Sequence, residues 1–199
     1  MDAFAFDARD LRKTLDFSPK DIVLVGQEAT KAKVKKAWYE LSEKSRPGDT
    51  ILIYWSGHGG RLNSTVHGEP DGQDEYLCTY DTDFADANAI RKTALMDNEF
   101  EYLLQKLDGR RVGLIIDACH SGGIGAAQPP ANRLMNDGLD WGVQELEWIG
   151  QRGISLLAAC GANEEAFVMQ PPQRYSVMTN MLIQQLNINA PIPSFSKLH

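Results

Sequence analysis

The chain has 199 residues, a formal net charge of −7, 43% hydrophobic and 24% charged residues. That length suits one domain, and the composition is that of a folded globular chain, which excludes wholesale disorder. The acidic balance argues against nucleic acid and anionic membranes as partners, and no apolar run approaches the ~18 residues of a membrane span.

Within residues 7–15, Ala8, Leu11 and Leu15 recur at helical spacing and predict a first helix. Residues 22–25 (IVLV) are apolar, mostly β-branched and closed by Gly26, which predicts a strand. Thr30 can cap a helix reaching about Lys44, with Val34, Ala37, Trp38 and Leu41 on one face and Lys33, Lys36, Glu40 and Lys44 on the solvated one. Pro47 and Gly48 then break the chain. Residues 50–55 (TILIYW) are apolar throughout, as in a strand covered on both faces. Residues 61–73 read as loop and 75–80 as a short strand. A helix is expected over 97–107 with Phe100, Leu103, Leu104 and Leu107 inward, then buried strands over 111–116 (RVGLII) and 154–159 (ISLLAA). Between those strands, residues 122–140 are rich in Gly, Pro and Asn and read as a long loop. An amphipathic helix over 176–186 follows, and the tail from Asn187 carries Pro191 and Pro193.

Apolar strands alternating with amphipathic helices predict an α/β sandwich with a mostly parallel central sheet. Ligands of such sheets bind beyond the carboxyl ends of the strands. No repeat or linker divides the chain, so residues 1–199 are read as one domain. The cysteines are Cys78, Cys119 and Cys160. An odd, sparse set without a CxxC pair is neither a disulfide framework nor a zinc clamp. Cys78 and Cys160 are read as buried free thiols within strands, and a reducing, cytoplasmic compartment follows. The N-terminus lacks the basic start and apolar run of a signal peptide.

Two strands run into unusual polar clusters at the predicted sheet edge. TILIYW continues into Ser56-Gly57-His58-Gly59-Gly60, and RVGLII into Asp117-Ala118-Cys119-His120-Ser121-Gly122-Gly123. A thiol becomes a strong nucleophile on losing its proton, and a nearby imidazole assists that loss and can then protonate a leaving amine. Two parallel strands ending together can deliver both groups, with Cys119 as nucleophile and His58 as acid–base partner. His120 is a rival base, but neighbours on an extended chain point to opposite sides. The flanking glycines admit a substrate backbone, and the amides of Gly59 and Cys119 are candidate oxyanion donors. A zinc hydrolase is disfavoured, because there is no HExxH.

The pairing of YWSGHGG with DACHSGG resembles the caspase-like cysteine peptidases, the metacaspase and bacterial orthocaspase branch most closely, within the clan that includes legumains and gingipains. Cys119 follows His58 by about 60 residues, near the ~50 of caspases. Phe6-Asp7-Ala8-Arg9-Asp10-Leu11 is similar to the family's Asn-Asp-Ala helix start, with Phe6 in place of Asn. Asp71-Gly72-Gln73-Asp74-Glu75 with Tyr80-Asp81 resembles its acidic loop, Met96-Asp97-Asn98-Glu99 its acidic helix opening, and Ala159-Cys160-Gly161-Ala162-Asn163-Glu164 its small-subunit strand end.

The resemblance implies a three-layer α/β sandwich with a large-subunit-like part over 1–121, an intersubunit region over 122–152 and a partial small-subunit-like part over 153–199. The family's first strand has no counterpart, since only residues 1–6 precede the Asp7 helix. Caspases that cut after Asp carry QAC before the nucleophile; Asp117 stands there instead, on the same side of the strand as Cys119. A carboxylate in that pocket repels a P1 Asp and pairs with Arg or Lys, and the resemblance adds Ser56 and Asp7 to the pocket. It also implies calcium as an activator, with Asp74, Asp97 and Asn98 in ligand positions and Ala126 where a fourth ligand would stand. The chemistry itself requires no cofactor. Arg133 is the implied self-cleavage position, with Arg152 a second. The expected partners are proteins or peptides with a basic P1 residue, and oligomeric state is left open. The alternative is a catalytically inactive caspase-like scaffold or regulatory module; another branch of the clan with a different P1 pocket is a third reading.

Overall fold

The computed structural model describes residues 3–15, 21–64, 72–119, 153–160, 166–168 and 175–187. The elements in chain order are α1 (Ala3–Thr14), a 3-10 turn (Gly26–Glu28), α2 (Lys31–Lys44), β1 (Thr50–Ser56), β2 (Gly59–Asn63), β3 (Gln73–Leu77), α3 (Ala87–Thr93), β4 (Leu95–Met96), α4 (Asp97–Gln105), β5 (Arg111–Asp117), β6 (Ile154–Ala158) and α5 (Val177–Asn187).

β1, β5 and β6 form a parallel sheet in the order β1-β5-β6, with Thr50 opposite Arg111 and Ser56 opposite Asp117. Both faces are covered, which is why these strands are apolar throughout instead of alternating. Leu114 and Ile116 of β5 join Val34 and Trp38 of α2 and Phe100, Leu103 and Leu104 of α4 on one face. Ile115, between them, joins Leu11 of α1 and Leu182 of α5 on the other. The helix over 31–44 starts as expected, with the Thr30 hydroxyl accepting from the Lys33 amide. Glu99, in the first turn of α4, receives Lys31 at 2.6 Å and Lys35 at 3.1 Å and ties α2 to α4.

The strand expected over 22–25 does not form. The segment lies outside both sheets, with Ile22 and Val23 exposed at 42% and 39%. β-branched composition favours a strand only where a neighbouring edge supplies a ladder and a packed face. The loop expected over 61–73 is narrower at its ends, because residues 61–63 belong to β2 and Gln73 to β3, which pair as an antiparallel hairpin with Arg61 opposite Glu75, and β4 extends it to a second three-stranded sheet; residues 65–71 lie outside the described residues. Its residues have little intrinsic strand preference; the pairing is a tertiary outcome. Among the described residues α1 is the first element, and β1 pairs on one side only.

Candidate active site

The register of β1 against β5 brings the two glycine-flanked clusters together. Ser56 faces Asp117 across the ladder, and the Gly57 amide donates to the Asp117 carbonyl at 3.1 Å. His58 and Cys119 each stand two residues beyond that last pair, at the carboxyl edge of the sheet. His58 is exposed, and its carbonyl accepts from the Cys78 amide at 2.8 Å, which turns the chain into β2. The next residue, Gly59, passes so close to the Cys119 carbonyl oxygen that a Cβ would collide with it. Glycine is required there by close approach.

The Cys119 thiol is half-buried and directed to the Ala166 carbonyl at 3.8 Å. The Phe4 ring, from the first turn of α1, meets the His58 ring edge-on, with centroids 4.9 Å apart. Cys78 and Cys160 are half-buried thiols outside any disulfide, just past the ends of β3 and β6 and not within those strands. Burial, and then the neighbouring Cys119, push the Cys78 thiol up to about 11. The Cys160 thiol donates to the Ala118 carbonyl at 3.4 Å. All three cysteines therefore surround the edge that carries residue 119.

Beneath this edge lies a buried polar cluster that gathers Asp7, Ser56 and Asp117. Asp7 accepts from the Ser56 hydroxyl at 2.8 Å and from the Ser176 amide at 3.2 Å. Asp117 accepts from the Ser176 hydroxyl, from the Thr179 hydroxyl at 2.6 Å and from the Thr179 amide at 3.1 Å. Tyr54 and Thr179 share a hydrogen bond of 2.5 Å. Burial pushes the Asp7 carboxyl up to about 6; donors from Ser56 and Ser176 offset part of that, and the Asp117 charge adds to it. Burial likewise raises the Tyr54 phenol.

Tyr54, Ser176 and Thr179 were not anticipated in this cluster. Part of it was readable: Ser176 precedes α5, and its hydroxyl accepts from the Thr179 amide at 3.2 Å, the N-cap pattern. What no spacing rule reveals is that this helix start docks on two carboxylates from α1 and β5.

Among the described residues, which include the implied calcium positions Asp74, Asp97 and Asn98, no group of three or more His, Cys, Asp or Glu could hold a metal. Asp74 is buried and already faces a cation, the Arg91 guanidinium, 2.5 Å from its Oδ2. Asp97 opens α4, and its carboxylate accepts from the Asn98 amide at 2.7 Å, with Asn98 exposed. Arg133, Arg152, Ala126 and His120 lie outside the described residues. No helix among the described residues is long and apolar enough to cross a membrane.

The family model for the caspase domain matches residues 3–199. Among curated proteins the chain is similar to metacaspase-1 of Ajellomyces capsulatus, 31% identical over 121 residues that make up 56% of this chain and 32% of that protein. It is similar to metacaspase-1 of Arabidopsis thaliana, 30% identical over 131 residues, 59% of this chain and 34% of the relative. Metacaspase-3 of Arabidopsis thaliana is 33% identical over 97 residues, 48% of this chain and 25% of the relative. The matches thus span about a third or less of these relatives.

Proposed function

This chain belongs to the caspase domain family, and on that premise we propose that it is a cysteine endopeptidase that cuts after Arg or Lys. The observation that carries the reading is the β1–β5 register, which sets His58 and Cys119 at equal offsets past one paired position. In this reading Cys119 attacks the scissile carbonyl, and His58 takes the thiol proton and returns it to the leaving amine. The Gly59 and Cys119 amides face the developing oxyanion. Asp7 and Asp117 supply the negative charge for a P1 guanidinium or ammonium, and the hydroxyls of Ser56, Ser176 and Thr179 hold those carboxylates.

The test compares fluorogenic peptides ending in Arg, Lys or Asp against Cys119→Ala and His58→Ala controls. Cleavage after Arg or Lys that both substitutions abolish is expected. Cleavage after Asp would remove the assigned pocket and keep the dyad. A folded chain that cleaves none of the peptides would favour the non-catalytic scaffold.

A further inference from the structure

We propose that Arg91 is the resident cation of the β2–β3 hairpin: its guanidinium, and not a calcium ion, neutralises Asp74 and fastens both strands of the hairpin to α3. The proposal concerns control of the site described above and rests on the peptidase reading only for its activity readout.

α3 is set on the hairpin before Arg91 reaches out. The Asp86 carboxylate caps the helix by accepting from the Ala89 amide at 2.8 Å, and Ile90 packs with Tyr76 of β3 and Leu62 of β2. Side chains alternate along a strand, so Asp74 shares the face of Tyr76 that looks toward α3. From the last turn of the helix, one guanidinium nitrogen of Arg91 donates to Asp74 Oδ2 at 2.5 Å and the other to the Asn63 carbonyl. Asn63 is on β2 and Asp74 on β3, in neighbouring positions of the ladder, with Leu62 opposite Asp74. A single planar fork therefore spans the hairpin.

A carboxylate and a backbone carbonyl are the hard oxygen ligands that calcium takes. Here both are engaged by Arg91 in a pair whose side chains are only 19% and 6% exposed. Asp74 Oδ1 is buried without a hydrogen-bond partner, and among the described residues Arg91 is the cation paired with this carboxylate. A guanidinium stays charged across the whole physiological range, so this lock needs no ion from solution. The hairpin it holds begins at Gly59, against the Cys119 carbonyl, which connects the lock to the oxyanion side of the site.

The experiment uses the full chain and its Arg91→Ala, Arg91→Lys and Arg91→Ala/Asp74→Asn variants. Thermal unfolding and calorimetric calcium titration are followed with calcium and with EDTA, and peptide cleavage is read in parallel. The parent chain is expected to show no calcium heat, no shift of Tm with calcium and no loss of cleavage in EDTA. Arg91→Ala should lower Tm by roughly 10 °C, because it leaves a buried charge unpaired. Arg91→Lys, which keeps the charge and loses the fork, should fall between. Adding Asp74→Asn should recover at least half of the lost Tm, because it removes the charge that needed a partner. If Arg91→Ala yields no folded protein, folding of the double variant carries the test. Calcium binding or stabilisation of the parent chain, an unchanged Tm in Arg91→Ala, or a double variant no better than the single would each overturn the proposal. Unfolding and calorimetry do not depend on turnover, so a chain that cleaves nothing still tests Arg91.

Discussion

Gly59 and Cys119 touch backbone to backbone. A Cβ at Gly59 would overlap the Cys119 carbonyl oxygen and would lie 3.3 Å from the Tyr76 carbonyl oxygen, and neither backbone atom can swing aside. Gly59→Ala is expected to lower kcat/KM for an Arg peptide by about 100-fold through displacement of the oxyanion donors, with a loss of about 1–3 kcal/mol in urea unfolding. Gly60→Ala is the comparison. A Cβ there meets the outer end of the Tyr76 side chain and not the Cys119 backbone, so its effect on kcat/KM should be smaller.

Thr179 tests whether the start of α5 builds the pocket. Thr179→Val keeps the shape and removes the hydroxyl that reaches Asp117 at 2.6 Å and Tyr54 at 2.5 Å. A stability loss of about 1–3 kcal/mol is expected from the unsatisfied buried groups. KM for Arg peptides should rise more than kcat falls, and Thr179→Ser should restore it. Equal effects on Arg peptides and on peptides with an uncharged P1 residue would make the role purely structural.

Asp7 predicts a pH dependence whose sign follows from its burial. Its carboxyl is raised from 3.8 to about 6 in the folded chain. Between those values the folded chain holds a proton that the unfolded chain has released, so stability falls as pH rises through that window and is flat above it. The amplitude is about 2 kcal/mol after allowance for solvent screening. Asp7→Asn should flatten that slope in urea unfolding between pH 4 and 7, where ~4 and ~7 bracket the window. Binding responds in the opposite sense. As pH rises through about 6, Asp7 gains its charge, so KM for an Arg peptide should fall, and Asp7→Asn should remove that trend.

The covered central strand and the uncovered N-terminal segment should differ sharply. Leu114 is fully buried in the middle of β5, and Leu114→Ala is expected to cost about 2–5 kcal/mol. Val23 is exposed at 39% and outside either sheet, so Val23→Ser should stay within about 0.5 kcal/mol. A large loss at Val23 would mean that this segment pairs in solution.

The central strands were legible in the chain because their apolar runs follow from a single requirement, burial on both faces: TILIYW and RVGLII read directly as β1 and β5. The same rule pointed to the candidate site, since a histidine and a cysteine flanked by glycine stand where two such strands stop. Thr30 could be assigned as a cap because capping is local. Tertiary structure decided what depends on partners distant in sequence. Residues 22–25 carry strand composition and lack a ladder, while residues 59–63 lack strand composition and gain one. Ser176 and Thr179 meet Asp117 across about 60 residues, and Arg91 meets Asp74 from α3, a helix absent from the elements expected. Local propensity and periodicity are properties of neighbours along the chain; the pairing of a buried charge is a property of neighbours in space, and only the fold supplies those.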